Sequence, residues 1–212
     1  MTAGQQGVIT DPTRHIDGNL DVTGGTACNS CHGGMGTPSS NDAAINAPPK
    51  DTQGNTLTTA RGVGAHQSHL TPSNLFFKAI ACADCHRVPA TVGSVGHNDT
   101  PLPAEVIFSQ RAGSSPTWNG AQCANVYCHG STLTDGGGGA GGTATSPLWA
   151  KVDGSQAQCT SCHGNPPPPP HPTNATDCGS CHPDVQMGSP TTFTMPNKHI
   201  DGTTNVTAGV QH

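Results

Sequence analysis

The sequence predicts a mostly irregular chain, with short helical turns and a few short strands, whose core is not made of its own side chains. Three observations lead there. Leu, Ile, Val and Phe are 29 of 212 residues, about 14%, below the ~20% typical of chains that bury enough surface to offset their ordering entropy. Glycine and proline contribute 28 and 19 residues, and aromatics only 3%. Charged residues are just 10%, with a formal net of −5, so the usual charged disordered tail is excluded too. The 10 Cys and 12 His say what fills the gap.

The cysteines fall into five pairs, and every second cysteine is followed by histidine. In chain order they read CNSCH (Cys28, Cys31, His32), CADCH (Cys82, Cys85, His86), CANVYCH (Cys123, Cys128, His129), CTSCH (Cys159, Cys162, His163) and CGSCH (Cys178, Cys181, His182). Four are the plain C-x-x-C-H signature of covalent c-type haem attachment. A disulfide framework has no use for the histidine. Structural zinc needs four converging ligands, which a His beside a Cys serves poorly. A thioredoxin-like redox motif would occur once, within a βαβ pattern that is absent here. Each thiol adds to a porphyrin vinyl group, and the adjacent imidazole becomes the proximal iron ligand. The fold is therefore expected to be organised around five covalently attached haem c groups, whose flat apolar faces replace the missing Leu and Phe.

Seven histidines remain for the far side of each iron: His15, His66, His69, His97, His171, His199 and His212. Met35, Met187 and Met195 are possible substitutes, but the count favours bis-histidine ligation throughout. An H-x-D element recurs at His15/Asp17, His97/Asp99 and His199/Asp201, each time before a short β-prone stretch. The Asp either orients the imidazole or stabilises the turn. By chain order, His97 is expected to serve the CADCH haem and His199 the CGSCH haem. His171, on a stiff proline run, is expected to serve CTSCH. His66 and His69, three apart, are left for CNSCH and CANVYCH respectively.

The strings between the motifs carry a resemblance. GAHQSHL, CADCHRVP, the H-x-D element leading into AEVIFS, CANVYCHG, SPLW, CTSCHGNPPPPPHP, CGSCHP and KHIDG follow one another across residues 60–207. Together they resemble the CxxxxCH/CxxCH repeat of Geobacter-type outer-surface multihaem cytochromes, in which the wide motif also holds one haem. The resemblance implies electron transfer at or beyond the outer membrane toward extracellular metal or other acceptors, with other cytochromes as donors. Haem density is similar to that of cytochromes that polymerise into haem-stacked filaments.

The domain reading is a single pentahaem unit over 1–212. Three haems lie in 1–130, a glycine-rich linker spans 131–146, and two haems lie in 147–212. Residues 1–12 show no basic–apolar leader, and no apolar run reaches a membrane-spanning length. Since haem c is attached outside the cytoplasm, a mature or trimmed exported chain is expected, placed extracellularly or at the outer surface, with the periplasm as the alternative. Eight Lys+Arg without a basic run exclude a nucleic-acid binder. No nucleophile elbow, phosphate loop or HExxH is present, so no enzyme is expected. The competing classes are a saturated electron conduit, as filament subunit or monomeric carrier, and a multihaem reductase with one open iron. The spare histidines favour the conduit. Residues 14–23 (RHIDGNLDVT) and 198–207 (KHIDGTTNVT) agree at six of ten positions. His15 has no motif before it, which leaves three readings: a piece of a tandem array, a head-to-tail polymer, or a fold-back onto CNSCH.

Overall fold

A Cys-x-x-Cys-His string must bring both thiols and the imidazole to one side of the chain, and a single helical turn does this in the fewest residues. The computed structural model describes residues 50–70, 77–78, 80–91, 93–97, 99–133, 142–169, 171–172, 177–189 and 192–201. Within these, every motif contains or adjoins such a turn. Cys82–Asp84, Tyr127–His129 and Cys178–Ser180 are 3-10 turns, and Cys159–Cys162 is a single α turn. The CADCH and CGSCH motifs close with the same bonds. The His86 and His182 amides donate to the Cys82 and Cys178 carbonyls at 2.8 Å, and the Cys85 and Cys181 amides to the same acceptors at 3.2 Å. Side chains cap the turns where the backbone cannot. Asp84 accepts from the Ala81 amide (2.9 Å), Asp177 from Gly179 (3.1 Å), and the fully buried Ser161 hydroxyl from Gln158 (2.9 Å).

The remaining structure is sparse and mostly coil, as the composition predicts. Helix α1, His66–Leu70, is the longest described helix. Strand β1 (Thr117–Trp118) pairs antiparallel with β2 (Cys123–Ala124), Trp118 opposite Cys123. The Asn119 side chain accepts from the Ala121 and Gln122 amides and closes the turn between them. The SPLW segment lies along residues 121–123: the Trp149 amide donates to the Ala121 carbonyl (2.9 Å) and the Cys123 amide to Pro147 (3.3 Å). Among the described residues the buried hydrophobic side chains are Val63, Ala112 and Val126, while Leu57, Val95, Leu102 and Met187 are each at least 70% exposed. Three small side chains cannot hold such a chain together, which agrees with a core supplied from elsewhere. No described helix is long and apolar enough to cross a membrane.

One local expectation is corrected. The β-prone residues after His97 form no strand. Their amides are spent on the CADCH turn instead, Ile107 donating to Cys85 (2.8 Å) and Ser109 to Asp84 (2.9 Å). The far end of the glycine-rich tract is docked: Thr143 and Ala144 donate to Thr160 and Ser161 at 3.0 and 2.9 Å. His15, Cys28, Cys31, His32, His212 and the glycine run 134–141 lie outside the described residues.

Candidate haem sites

The ring geometry of the histidines defines the sites. His66 faces His86 at a centroid separation of 6.2 Å, His69 faces His129 at 6.0 Å, His163 faces His199 at 6.4 Å, and His171 faces His182 at 6.2 Å. The angles between ring planes are 25°, 72°, 83° and 3° in that order. Rings in direct contact would approach closer when parallel than when perpendicular. Here the spacing is constant and the angle is not, as expected when something between the rings sets the distance. A first-row metal sits about 2 Å from an imidazole nitrogen and the ring centre roughly 1 Å further back, so two rings trans on one metal stand about 6 Å apart. Every proximal histidine of the described motifs is paired in this way.

The hydrogen bonds fall on the ring nitrogen that a metal does not need. Nδ1 of His66 meets the Val63 carbonyl, that of His69 the Ala65 carbonyl and that of His86 the Glu105 carbonyl, each at 2.8 Å. Nδ1 of His163 meets Gly164 O at 2.7 Å, and that of His171 meets Pro172 O at 3.1 Å. A carbonyl only accepts, so each of these Nδ1 atoms carries the proton and Nε2 keeps the lone pair a metal needs. Nδ1 of His129 is buried and has no hydrogen-bond partner among the described residues. Burial lowers the pKa of His66 to about 4, the nearby His86 and His69 adding to the effect, and burial likewise lowers His129 to about 4. His69 is lowered by burial as well. These imidazoles are neutral at ordinary pH, the form that binds iron.

The thiols form a second pattern. None of the eight described cysteines is joined in a disulfide. Burial pushes the Cys85 thiol up to about 12, with Cys123 and Cys128 among the neighbours that add to the shift. Burial raises Cys162 to about 11, with Cys128 beside it, and its Sγ lies 3.7 Å from the Cys128 carbonyl. Cys178 is raised by burial and has Asp177 and Cys159 among its neighbours. The four described motifs are therefore adjacent in space in their sequence order. Gly130, directly after His129 at φ +77°, permits one of these approaches, because a Cβ there would fall on the Cys162 carbonyl.

The residues fit haem c. Each pair supplies two imidazoles, and no cluster of three or more His, Cys, Asp or Glu suited to a metal occurs among the described residues. The two imidazoles of each pair would hold the iron of a haem, with the porphyrin supplying its remaining ligands. Residues 122–163, spanning Cys123–His129 and Cys159–His163, match the family model described as the Geobacter CxxxxCH...CXXCH motif. The match supports a multihaem c-type cytochrome carrying covalently bound haem c. No curated protein and no solved structure matches the chain.

The partners chosen by chain order agree with the structure at one site. His69 faces His129 as expected. The ring facing His86 belongs to His66 rather than His97, His199 faces His163 rather than His182, and His171 faces His182 rather than His163. His97 sits in a turn in which Asp99 accepts from the Gly96 amide (2.9 Å), the turn-stabilising role of the H-x-D element. Two further groups were not singled out in the sequence. Trp149 packs edge-on to His66 (4.7 Å) and flat on His69 (5.7 Å), its Nε1–H donating to the Arg61 carbonyl at 2.7 Å. Arg111 pairs with Asp84 (3.2 Å) and donates to the Lys78 (2.6 Å) and Ile200 (3.3 Å) carbonyls, tying the CADCH turn to the segment carrying His199. Burial alone would raise Asp84, but the Ala81 amide, the Ser109 hydroxyl and Arg111 outweigh it and hold its carboxyl below the usual range. That two tryptophans persist in so aromatic-poor a chain was the available signal for Trp149; nothing marked Arg111.

Proposed function

We propose that the chain carries electrons along a row of five bis-histidine c-type haems and reacts with no substrate at iron. One observation carries this reading: four facing imidazole pairs keep one spacing, 6.0–6.4 Å, while their angles run from 3° to 83°. Bound haem supplies one-electron iron redox chemistry. The protein's residues do the remaining work. Carbonyls at Val63, Ala65, Glu105 and Gly164 hold the imidazole tautomers. Adjacent cysteine pairs keep successive groups close. A second imidazole facing each described proximal histidine supports carriage over substrate reduction. The ferric optical spectrum with and without cyanide tests this, alongside the intact mass. A mass increment of five haems and a low-spin spectrum unmoved by cyanide are expected. A high-spin band that shifts on adding cyanide would overturn the reading.

The repeat at the two ends supports a finer reading. His199, in KHIDG, turns inward onto His163, which leaves the RHIDG copy at His15 as the one to reach a neighbouring subunit. A heterologous, non-closing contact of this kind builds a filament rather than a ring. An intersubunit histidine–iron bond would hold such a polymer without a large apolar interface, which this composition cannot provide. In this reading the chain is an exported subunit of an extracellular conducting homopolymer, fed by other cytochromes and discharging to extracellular acceptors. Electron microscopy of His15→Ala tests it. Dispersed subunits retaining their haems are expected, and intact filaments would refute the bridging role.

A further inference from the structure

The planes of the facing imidazoles are not random along the chain. In motif order the pairs stand at 25° (His66/His86), 72° (His69/His129), 83° (His163/His199) and 3° (His171/His182). Among the four described pairs, two near-perpendicular ones therefore fall between two near-parallel ones in motif order. Imidazole donates π density to the iron d orbital perpendicular to its own ring plane. Parallel rings raise one such orbital and separate it from its partner. Perpendicular rings raise both and leave them nearly degenerate, so the orbital moment of the ferric ion is no longer quenched. The two arrangements thus give different ferric electronic states from the same ligand pair.

What holds the planes is visible. The Trp149 indole is pinned by Nε1–H donation to Arg61 O (2.7 Å), by its amide bond to Ala121 (2.9 Å) and by the edge of Trp118 (6.1 Å, 79°). It lies 23° from the His69 plane and 89° from the His66 plane, so one rigid ring sets two ligands roughly at right angles to each other. Phe193 lies flat on His199, 4.4 Å away at 21°. Opposite His66 and His199, the Nδ1 bonds of His86 and His163 to backbone carbonyls resist rotation.

We infer that Trp149 and Phe193 are positioning residues that fix three distal imidazole planes and thereby divide these sites into two electronic classes, near-perpendicular at His69/His129 and His163/His199 and near-parallel at His66/His86. This rests on the bis-histidine reading above. The test is low-temperature electron paramagnetic resonance of the fully oxidised, haem-loaded full chain, with signals integrated per iron. At least two irons are expected in the highly anisotropic low-spin class and at least two in the ordinary rhombic low-spin class. Phe193→Leu is expected to move one highly anisotropic signal and leave the rest. Trp149→Leu is expected to move two signals, one from each class. All haems stay low-spin in both variants, and both keep the far-ultraviolet dichroism and cooperative Soret-monitored melting of the wild type, which an unfolded variant would not. A wild-type spectrum with every iron in one low-spin class overturns this inference and leaves the bis-histidine reading standing, as do variant spectra superimposable on wild type. High-spin iron in the wild type overturns both.

Discussion

Gly130→Ala isolates the contact that joins the CANVYCH and CTSCH motifs. Gly130 caps the Tyr127–His129 turn in the left-handed conformation, its amide donating to the Tyr127 carbonyl at 2.8 Å. An alanine in that conformation costs about 1–2 kcal/mol. The added methyl would also fall on the Cys162 carbonyl, which is backbone and cannot swing aside. The CANVYCH and CTSCH motifs must then part, and overpacking of this kind costs a further ~1–3 kcal/mol. The total is roughly 2–5 kcal/mol. Gly154 is the control: it stands at φ +81°, and nothing lies within 4 Å of its Cβ position. Gly154→Ala therefore incurs only the conformational cost, about 1–2 kcal/mol. Thermal unfolding of the haem-loaded protein, followed by the Soret band and far-ultraviolet dichroism, compares the two. Gly130→Ala should melt clearly below Gly154→Ala. Equal melting points would show that the two motifs do not pack as described.

Four further outcomes are expected. Chain produced without haem attachment should show no cooperative melting and freely exchanging amides, since its own buried apolar side chains are too few; a protected, melting apo-chain would contradict this. Replacing Cys123 and Cys128 with Ala should lower the covalent haem count by one in the intact mass, and an unchanged mass would mean that CANVYCH carries none. His199→Ala should expose no additional cyanide-binding iron when Cys159 and Cys162 are already replaced, but should expose one when Cys178 and Cys181 are; the reverse would restore the partners chosen by chain order. Arg111→Leu should destabilise by about 2–3 kcal/mol, the cost of losing charge-assisted bonds in a half-buried site, measured as a lowered melting point. Because Asp84 is held below its ordinary value of 3.8, the carboxylate's share of that stability is fully present above this value. It fades as pH falls through the lower folded value, and Arg111→Leu should flatten the acid limb of the stability curve.

The covalent chemistry of this protein was legible in its residues. Thiol, thiol and adjacent imidazole must share one turn to bind one group, so a strictly local string encodes the site. CADCH and CGSCH indeed fold into turns closed by the same bonds. The irregular fold was equally legible, because a chain with so few Leu, Ile, Val and Phe has little to drive long helices or sheets. Which distal histidine faces which motif was not, apart from His69. His199 reaches His163 across 36 residues of chain, by way of Arg111, whose guanidinium pairs with Asp84 of the CADCH turn and holds the Ile200 carbonyl. Trp149 meets His66 and His69 because the Ala121 and Arg61 carbonyls fix its backbone and its indole. Contacts of that kind depend on the path of the whole chain through space and leave no periodicity or spacing in the sequence. Only the tertiary structure decides them, because a ligand on a loop is delivered by everything the loop is tied to.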